Sequence, residues 1–314
     1  MLISITLWMN SCTSSEKQMK FLPFEEEYTL AVEKTYMENV IAPDFILAKN
    51  GFLFVASSRS DSMLCQYSLP DLKLVRQGGT KGQSENQFAL FPMFCRSMSD
   101  DVYIWGYSPL TIKRFSVNKD GKLYFRKKYT LPYYESFNQM HILHDSIFTY
   151  SSIPSEFAIK ELNLNQGEEI NKIRFETEGH GETYFYKERG FMSANEKYIV
   201  YVYFYKKQID IYDAKTLKLH KRLKNDQKEP AIRIGDFEGN EHFYVNIVAG
   251  EERIYALCHE KDDYALEVFD YDGNPITKYK FDIVPFLFDI DERENILYGY
   301  NEEWEDYFLK CKLL

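Results

Sequence analysis

A short apolar run bearing an aromatic residue recurs six times along the chain, and this repetition constrains the fold more than any other feature. The copies are Leu53-Phe54-Val55-Ala56, Val102-Tyr103-Ile104-Trp105, Ile147-Phe148-Thr149-Tyr150, Ile199-Val200-Tyr201-Val202, Ile254-Tyr255-Ala256-Leu257 and Ile296-Leu297-Tyr298-Gly299. Their first residues lie 49, 45, 52, 55 and 42 positions apart. Each is followed by a second run, beginning at Leu64, Ile112, Ile159, Ile209, Leu266 and Phe308. The offset from first run to second is 11, 10, 12, 10, 12 and 12 residues. Such constancy marks one hairpin used six times.

In five copies a turn and a further run follow. The turns are Pro70-Asp71, Lys119-Asp120-Gly121, Asn165-Gln166-Gly167, Ala214-Lys215-Thr216 and Asp272-Gly273-Asn274. Asp-Gly and Asn-x-Gly supply the positive φ angles of tight hairpins. An apolar stretch also precedes the first run, as in Ala42–Leu47 and Val284–Asp289. Each unit therefore reads as about four strands, the size of a β-propeller blade. The sixth copy has no fourth strand of its own, whereas Tyr28–Glu33 is a strand-like segment without a blade. Pairing the two closes the ring and removes exposed sheet edges. The expected fold is all-β, a six-bladed β-propeller closed by an N-terminal strand. The stretch Lys224–Asn240 is expected to be a long loop between blades, and Tyr198–Tyr205 to fill the space between two sheets. With 25 Tyr and 24 Phe, most aromatic rings must be core.

The segment Gln77-Gly78-Gly79-Thr80-Lys81-Gly82-Gln83-Ser84-Glu85-Asn86-Gln87-Phe88, followed by Pro92, resembles the Gly-rich interblade turn of NHL-type propellers. With GFLFVAS and YSLPDLKLV before it, it resembles still more the TolB-like six-bladed propeller lipoproteins of Bacteroidetes. That resemblance implies a fold and an envelope location but no reaction.

At the N-terminus the apolar run Leu2–Met9 precedes Asn10-Ser11-Cys12 and a polar stretch from Thr13. Eight residues cannot span a bilayer, which needs about 20, but they match the apolar core of a signal peptide. The pattern resembles a bacterial lipoprotein signal, which implies Cys12 as the lipidated first residue of the mature chain. The expected organisation is 1–11 signal peptide, 12–22 tether and 23–314 propeller. The expected address is the outer membrane of a bacterial envelope. Cys65, Cys95, Cys258 and Cys311 stand singly, without zinc spacing, and read as small apolar residues in strands.

No catalytic motif emerges. His141 and His144 are three apart in a predicted strand and so point to opposite faces, as do Cys258 and His259. Asp270-Tyr271-Asp272-Gly273-Asn274 lacks the remaining ligands of a calcium loop. Gly78–Gly82 lacks the Gly-Lys-Ser/Thr of a phosphate loop. The acidic runs Glu260–Asp263, Asp289–Glu294 and Glu302–Asp306 read as solvated hairpin tips. With 48 acidic and 38 basic residues the net charge is −10, so there is no basic surplus for nucleic acid.

Two function classes remain. The first is a monomeric binding or scaffolding module for a protein, peptide or glycan partner, without a cofactor and held to the membrane by its lipid. The second is a metal-dependent propeller hydrolase or lyase with its site in the central channel. Asp44, Asn138, Gln139, His242 and Asn246 are the candidate channel-lining residues, and Trp304, among Glu302, Glu303, Glu305 and Asp306, is the candidate exposed binding residue. Fold alone licenses no activity, so the first class is favoured.

Overall fold

The structure is a computed structural model that describes residues 17–106, 110–131, 137–152, 156, 158–175, 186–225, 231–236, 239–260 and 263–314. It opens with three short strands, β1 (Gln18–Met19), β2 (Glu27–Leu30) and β3 (Glu33–Tyr36). Antiparallel meanders follow. The first comprises β4 (Phe45–Lys49), β5 (Phe52–Ala56), β6 (Leu64–Ser68) and β7 (Lys73–Gly78). The second comprises β8 (Met93–Ser97), β9 (Val102–Gly106), β10 (Thr111–Val117) and β11 (Leu123–Thr130). The third comprises β12 (Asn138–Leu143), β13 (Ile147–Ser151), β14 (Ala158–Asn163) and β15 (Glu168–Arg174). The fourth comprises β16 (Gly190–Ala194), β17 (Tyr198–Tyr203), β18 (Gln208–Asp213) and β19 (Leu219–Lys224). The fifth comprises β20 (Tyr244–Ala249), β21 (Ile254–Glu260), β22 (Asp263–Phe269) and β23 (Pro275–Phe281). The sixth has β24 (Leu287–Asp291), β25 (Ile296–Tyr300) and β26 (Tyr307–Lys312). The paired runs of the sequence are thus the second and third strands of the meanders.

Among the described residues the hydrogen-bonded sheets number five, because the second and third meanders share one eight-stranded sheet. Its two halves meet through a short parallel pairing of β8 with β12, Arg96 opposite His141 and Ser97 opposite Ile142. The first strands of the meanders touch in cyclic order, β4 to β8, β12, β16, β20, β24 and back to β4. Six apolar clusters lie between successive meanders in the same cycle. Strand β17 shows how one sequence serves two of them. Ile199, Tyr201 and Tyr203 face the third meander, whereas Val200 and Val202 face the fifth. Strands buried on both faces need apolar residues at successive positions, and each fully buried large side chain contributes about 1.5–3 kcal/mol. Tyr203 and Tyr201 also place their hydroxyls on acceptors, Asp210 Oδ2 at 2.8 Å and Glu188 O at 2.6 Å, as buried tyrosines require.

The N-terminal segment differs from expectation. Tyr28–Glu33 is not one strand. Strand β2 lies parallel to β23 as a fifth strand on the fifth sheet, while β3 pairs antiparallel with β26 and supplies the missing outer strand of the last sheet. The break at Ala31-Val32 lets the chain step from one sheet to the next, and Asp282 Oδ1 accepts the Val32 amide there at 2.9 Å. Upstream, β1 lies parallel to β19, and Phe21 and Phe24 pack on Phe269 at centroid distances of 6.0 and 5.3 Å. Residues 17–22, expected to be tether, are therefore bound to the rim of the fourth and fifth sheets. The signal segment and Cys12 lie outside the described residues, as does part of 224–240. Among the described residues no helix is long and apolar enough to cross a membrane.

Cys65, Cys95, Cys258 and Cys311 are buried and free of disulfides. Burial pushes the Cys65 thiol up to about 11 and those of Cys258 and Cys311 up to about 12, which keeps them protonated and unreactive.

Candidate functional site at the mouth of the central channel

Polar side chains close the seams between successive first strands. Lys49 of β4 donates to Ser97 O at 2.7 Å and Ser97 Oγ at 3.0 Å. From β12, His141 places Nε2 3.3 Å from Ser193 Oγ of β16, which in turn accepts the Ala249 amide of β20 at 2.9 Å. Asn246 Nδ2 donates to Phe286 O at 2.9 Å, bridging the fifth and sixth meanders. Asp289 of β24 completes the cycle. It accepts the Ala48 amide at 2.8 Å and pairs with the Arg96 guanidinium. The Asp289 side chain is fully buried and that of Arg96 is 26% exposed. These bonds satisfy groups that burial would otherwise strand.

At the end where first strands turn into second strands, a cavity of about 430 Å³ opens. It is lined by the ends of β4, β8, β16, β20 and β24 and the turns that follow four of them. Its charged lining residues are of both signs: Lys49, Arg96, Arg253 and Arg293 beside Asp100, Glu251, Glu252, Asp291 and Glu292. Burial, then the Arg96 charge, pushes the Lys49 amine down to about 8, although Asp289 opposes the shift. The Glu292 carboxyl is raised, chiefly by burial, and accepts the Glu251 amide. Gly250 makes that approach feasible, because a Cβ there would come within 2.2 Å of the Glu292 carboxylate. Asn195 pins the same turn through Nδ2, which donates to Gly250 O at 2.6 Å. The wall is a fixed array of donors and acceptors in a concave, partly desolvated setting, which suits recognition of a polar ligand.

The run Asp289–Glu294, read from sequence as a solvated tip, is thus in part buried structure and in part cavity wall. Likewise Glu260 is a strand residue whose carboxylate pairs with Lys278. Of the five candidate channel-lining residues, Asn138, Gln139 and Asn246 lie on first strands and Asp44 and His242 just before them, and none lines this cavity. Asp44 precedes β4 and its carboxylate accepts the Ser58 amide. Asn138 and Gln139 begin β12, and Gln139 Nε2 donates to Gly190 O at 3.3 Å. His242 precedes β20, its ring 4.6 Å from that of Phe204. Asn246 spans the seam already described. Trp304 sits in a 3-10 turn (Glu302–Trp304), 37% exposed, with Lys34 Nζ 3.5 Å from its ring centroid. One face of the ring therefore binds the chain's own β3. Lys49, Arg96 and Asp289 were missed because the turn after each first strand runs from two to four residues, so these positions hold no constant offset from the repeat.

Among the described residues, side chains able to hold a metal come together at Cys258, Glu260 and Glu267, away from the cavity. Lys207 already serves that group, with Nζ 2.9 Å from Cys258 Sγ and 2.7 Å from Glu267 Oε1. Glu267 takes a second donor from Tyr244 OH at 2.9 Å. A buried ammonium balancing a buried carboxylate fits a structural pair.

No family model and no curated protein matches the sequence. Solved structures match in shape. A Bacteroides fragilis protein presumed to be exported aligns over 91% of this chain and 98% of its own, with 11% identity and a TM-score of 0.55. U3-55K aligns over 90% and 98%, with 7% identity and a TM-score of 0.53. The WD40 repeats of RRP9 align over 90% and 97%, with 6% identity and a TM-score of 0.54. At these identities the likeness concerns the fold, which is all-β and propeller-like.

Proposed function

We propose that the chain is a six-bladed propeller that works as an envelope-anchored binding or scaffolding lipoprotein, with the channel-mouth cavity as its ligand site. The eight-stranded sheet counts as two blades in this reading, since its halves are separate meanders with an apolar cluster between them. The observation that carries the function is the cavity wall, where β4, β8 and β24 and the turns after β8, β20 and β24 contribute charges of both signs on a hydrogen-bonded frame. Such a wall suits a zwitterionic or polyhydroxylic surface on a peptide, protein or glycan. The metal-dependent alternative lacks support at the cavity, because the metal-capable group among the described residues lies elsewhere and holds Lys207.

The address rests on Cys12 and on likeness to an exported protein. Four residues separate Cys12 from Lys17, and Lys17 Nζ is bound to Leu219 O at 2.7 Å. At roughly 3.3–3.6 Å per residue, a lipid on Cys12 holds the rim of the fourth blade close to the bilayer. Wild type should partition into detergent and incorporate palmitate, and Cys12→Ala should not. Identical fractionation of the two overturns the address.

For the ligand, native envelope is passed over wild type and over Glu251→Lys/Glu252→Lys/Arg293→Glu, each with and without chelator. A partner lost with the triple variant and indifferent to chelator supports the proposal. Capture that survives the charge reversals overturns the site, and chelator-sensitive turnover overturns the binding class.

A further inference from the structure

A second cavity, of about 210 Å³, lies between the first and second meanders, remote from the channel mouth. Its floor is aromatic, built from Phe54, Phe94 and Phe115. The Gly-rich segment singled out in the sequence forms part of its wall through Gly78, Gly79, Asn86 and Phe88. That segment is held down by Lys113, buried between the meanders, whose Nζ donates to Ser84 O at 2.8 Å and Gln87 O at 2.6 Å and sits 4.6 Å from the Phe88 ring centroid.

Three features point to a ligand. First, Gln66 lines the cavity and is only 4% exposed, yet its Nε2 has no hydrogen-bond acceptor among the described residues. Gly121, at φ +77°, leaves the room this amide occupies, since a Cβ there would come within 2.3 Å of Nε2. A buried donor without an acceptor is a standing cost that a ligand oxygen removes. Second, the charged residues of the lining are Arg76 and Lys122, with no carboxylate, in a chain whose net charge is −10. Both cations are exposed at the rim, and among the described residues no carboxylate pairs with either. Third, the volume falls below the ~300–1,000 Å³ of drug-sized sites, which limits the ligand to a single ring or a short chain.

We infer that this cavity binds a small monoanionic molecule with an apolar body, an aryl or short-chain carboxylate. The body packs on the phenylalanine floor, one carboxylate oxygen accepts from Gln66, and the charge faces Arg76 and Lys122. This site is independent of the channel mouth, and neither reading depends on the other.

The test uses the full chain and two probes, 3-phenylpropanoate and its uncharged amide, titrated by calorimetry at low ionic strength. The acid should bind saturably and at least ten-fold more tightly than the amide. Arg76→Ala/Lys122→Ala, both on the surface, should weaken the acid about ten-fold and leave the amide unchanged. Gln66→Leu should weaken both probes at least five-fold, with a wild-type melting curve as its control; should it fail to fold, the surface double variant carries the test. Absence of saturable acid binding overturns the inference. Equal affinity for acid and amide, or an unchanged acid affinity in the double variant, overturns the assignment of an anion.

Discussion

Replacing Asp289 by alanine should unfasten the last blade from the first. Its carboxylate accepts the Ala48 amide at 2.8 Å and the Ile290 amide at 2.7 Å and pairs with Arg96. Alanine leaves those amides without their side-chain acceptor and the guanidinium without its counter-charge. Breaking a buried pair by removing one partner costs roughly 3–5 kcal/mol. Because the Arg96 side chain is 26% exposed, water recovers part of the loss, and we expect about 3 kcal/mol. Asp289→Asn keeps the shape and an acceptor and should cost about half as much. Adding Arg96→Met to Asp289→Ala should recover part of the loss, since the stranded charge goes with it. The assay is urea unfolding followed by fluorescence and far-UV dichroism together, which also checks that the transition is two-state. If Asp289→Ala unfolds within about 1 kcal/mol of wild type, ring closure does not run through this contact.

Acid should loosen the ring at a different seam. Burial and the Arg96 charge push His141 down to about 3, so between that value and its ordinary 6.5 the unfolded chain binds the extra proton. Stability therefore falls as pH drops through this window, by at most ~1.4 kcal/mol per pH unit, and urea midpoints measured across pH should flatten in His141→Gln. Glu161 has the opposite sign: burial raises it to about 7, against the hydrogen bond from Thr149, so its folded form holds the proton longer and stability falls as pH rises from 4.5 to 7. Glu161→Gln should gain roughly 1–3 kcal/mol at pH 8 and little at pH 4; an equal gain at both pH values removes titration as the cause. Deleting residues 17–36 should strip β26 of its partner strand and expose an edge, read as a lower melting temperature and self-association in sedimentation; a monomer melting with wild type contradicts closure by β3.

The second and third strands were legible because the core dictates them. They are buried on both faces, so apolar runs such as Leu53–Ala56 and Ile199–Val202 are each followed by a second run at a near-constant offset. The N-terminal strand was legible only as a leftover. Nothing in Glu27–Tyr36 tells a strand that extends one sheet from a strand that completes the next, because both are half-exposed edge pairings. The site was the least legible part. Asp289 looks like a tip residue in sequence, and its burial follows from the strand ends that the ring brings together. Glu251, Glu252 and Arg293 line one cavity only after the fifth and sixth meanders are placed side by side.

In the binding function proposed above, ligand enters the channel at the end where Glu251, Glu252, Asp291 and Asp100 line the wall. Carboxyl footprinting with a carbodiimide and an amine, read by mass spectrometry on free protein and on the complex captured from envelope, tests it directly. Protection should be concentrated on those four carboxylates, with Asp44 and the Glu302–Asp306 cluster labelled equally in both states. Protection at Asp44 or around Trp304, with the four cavity carboxylates unchanged, would place the ligand away from the channel mouth.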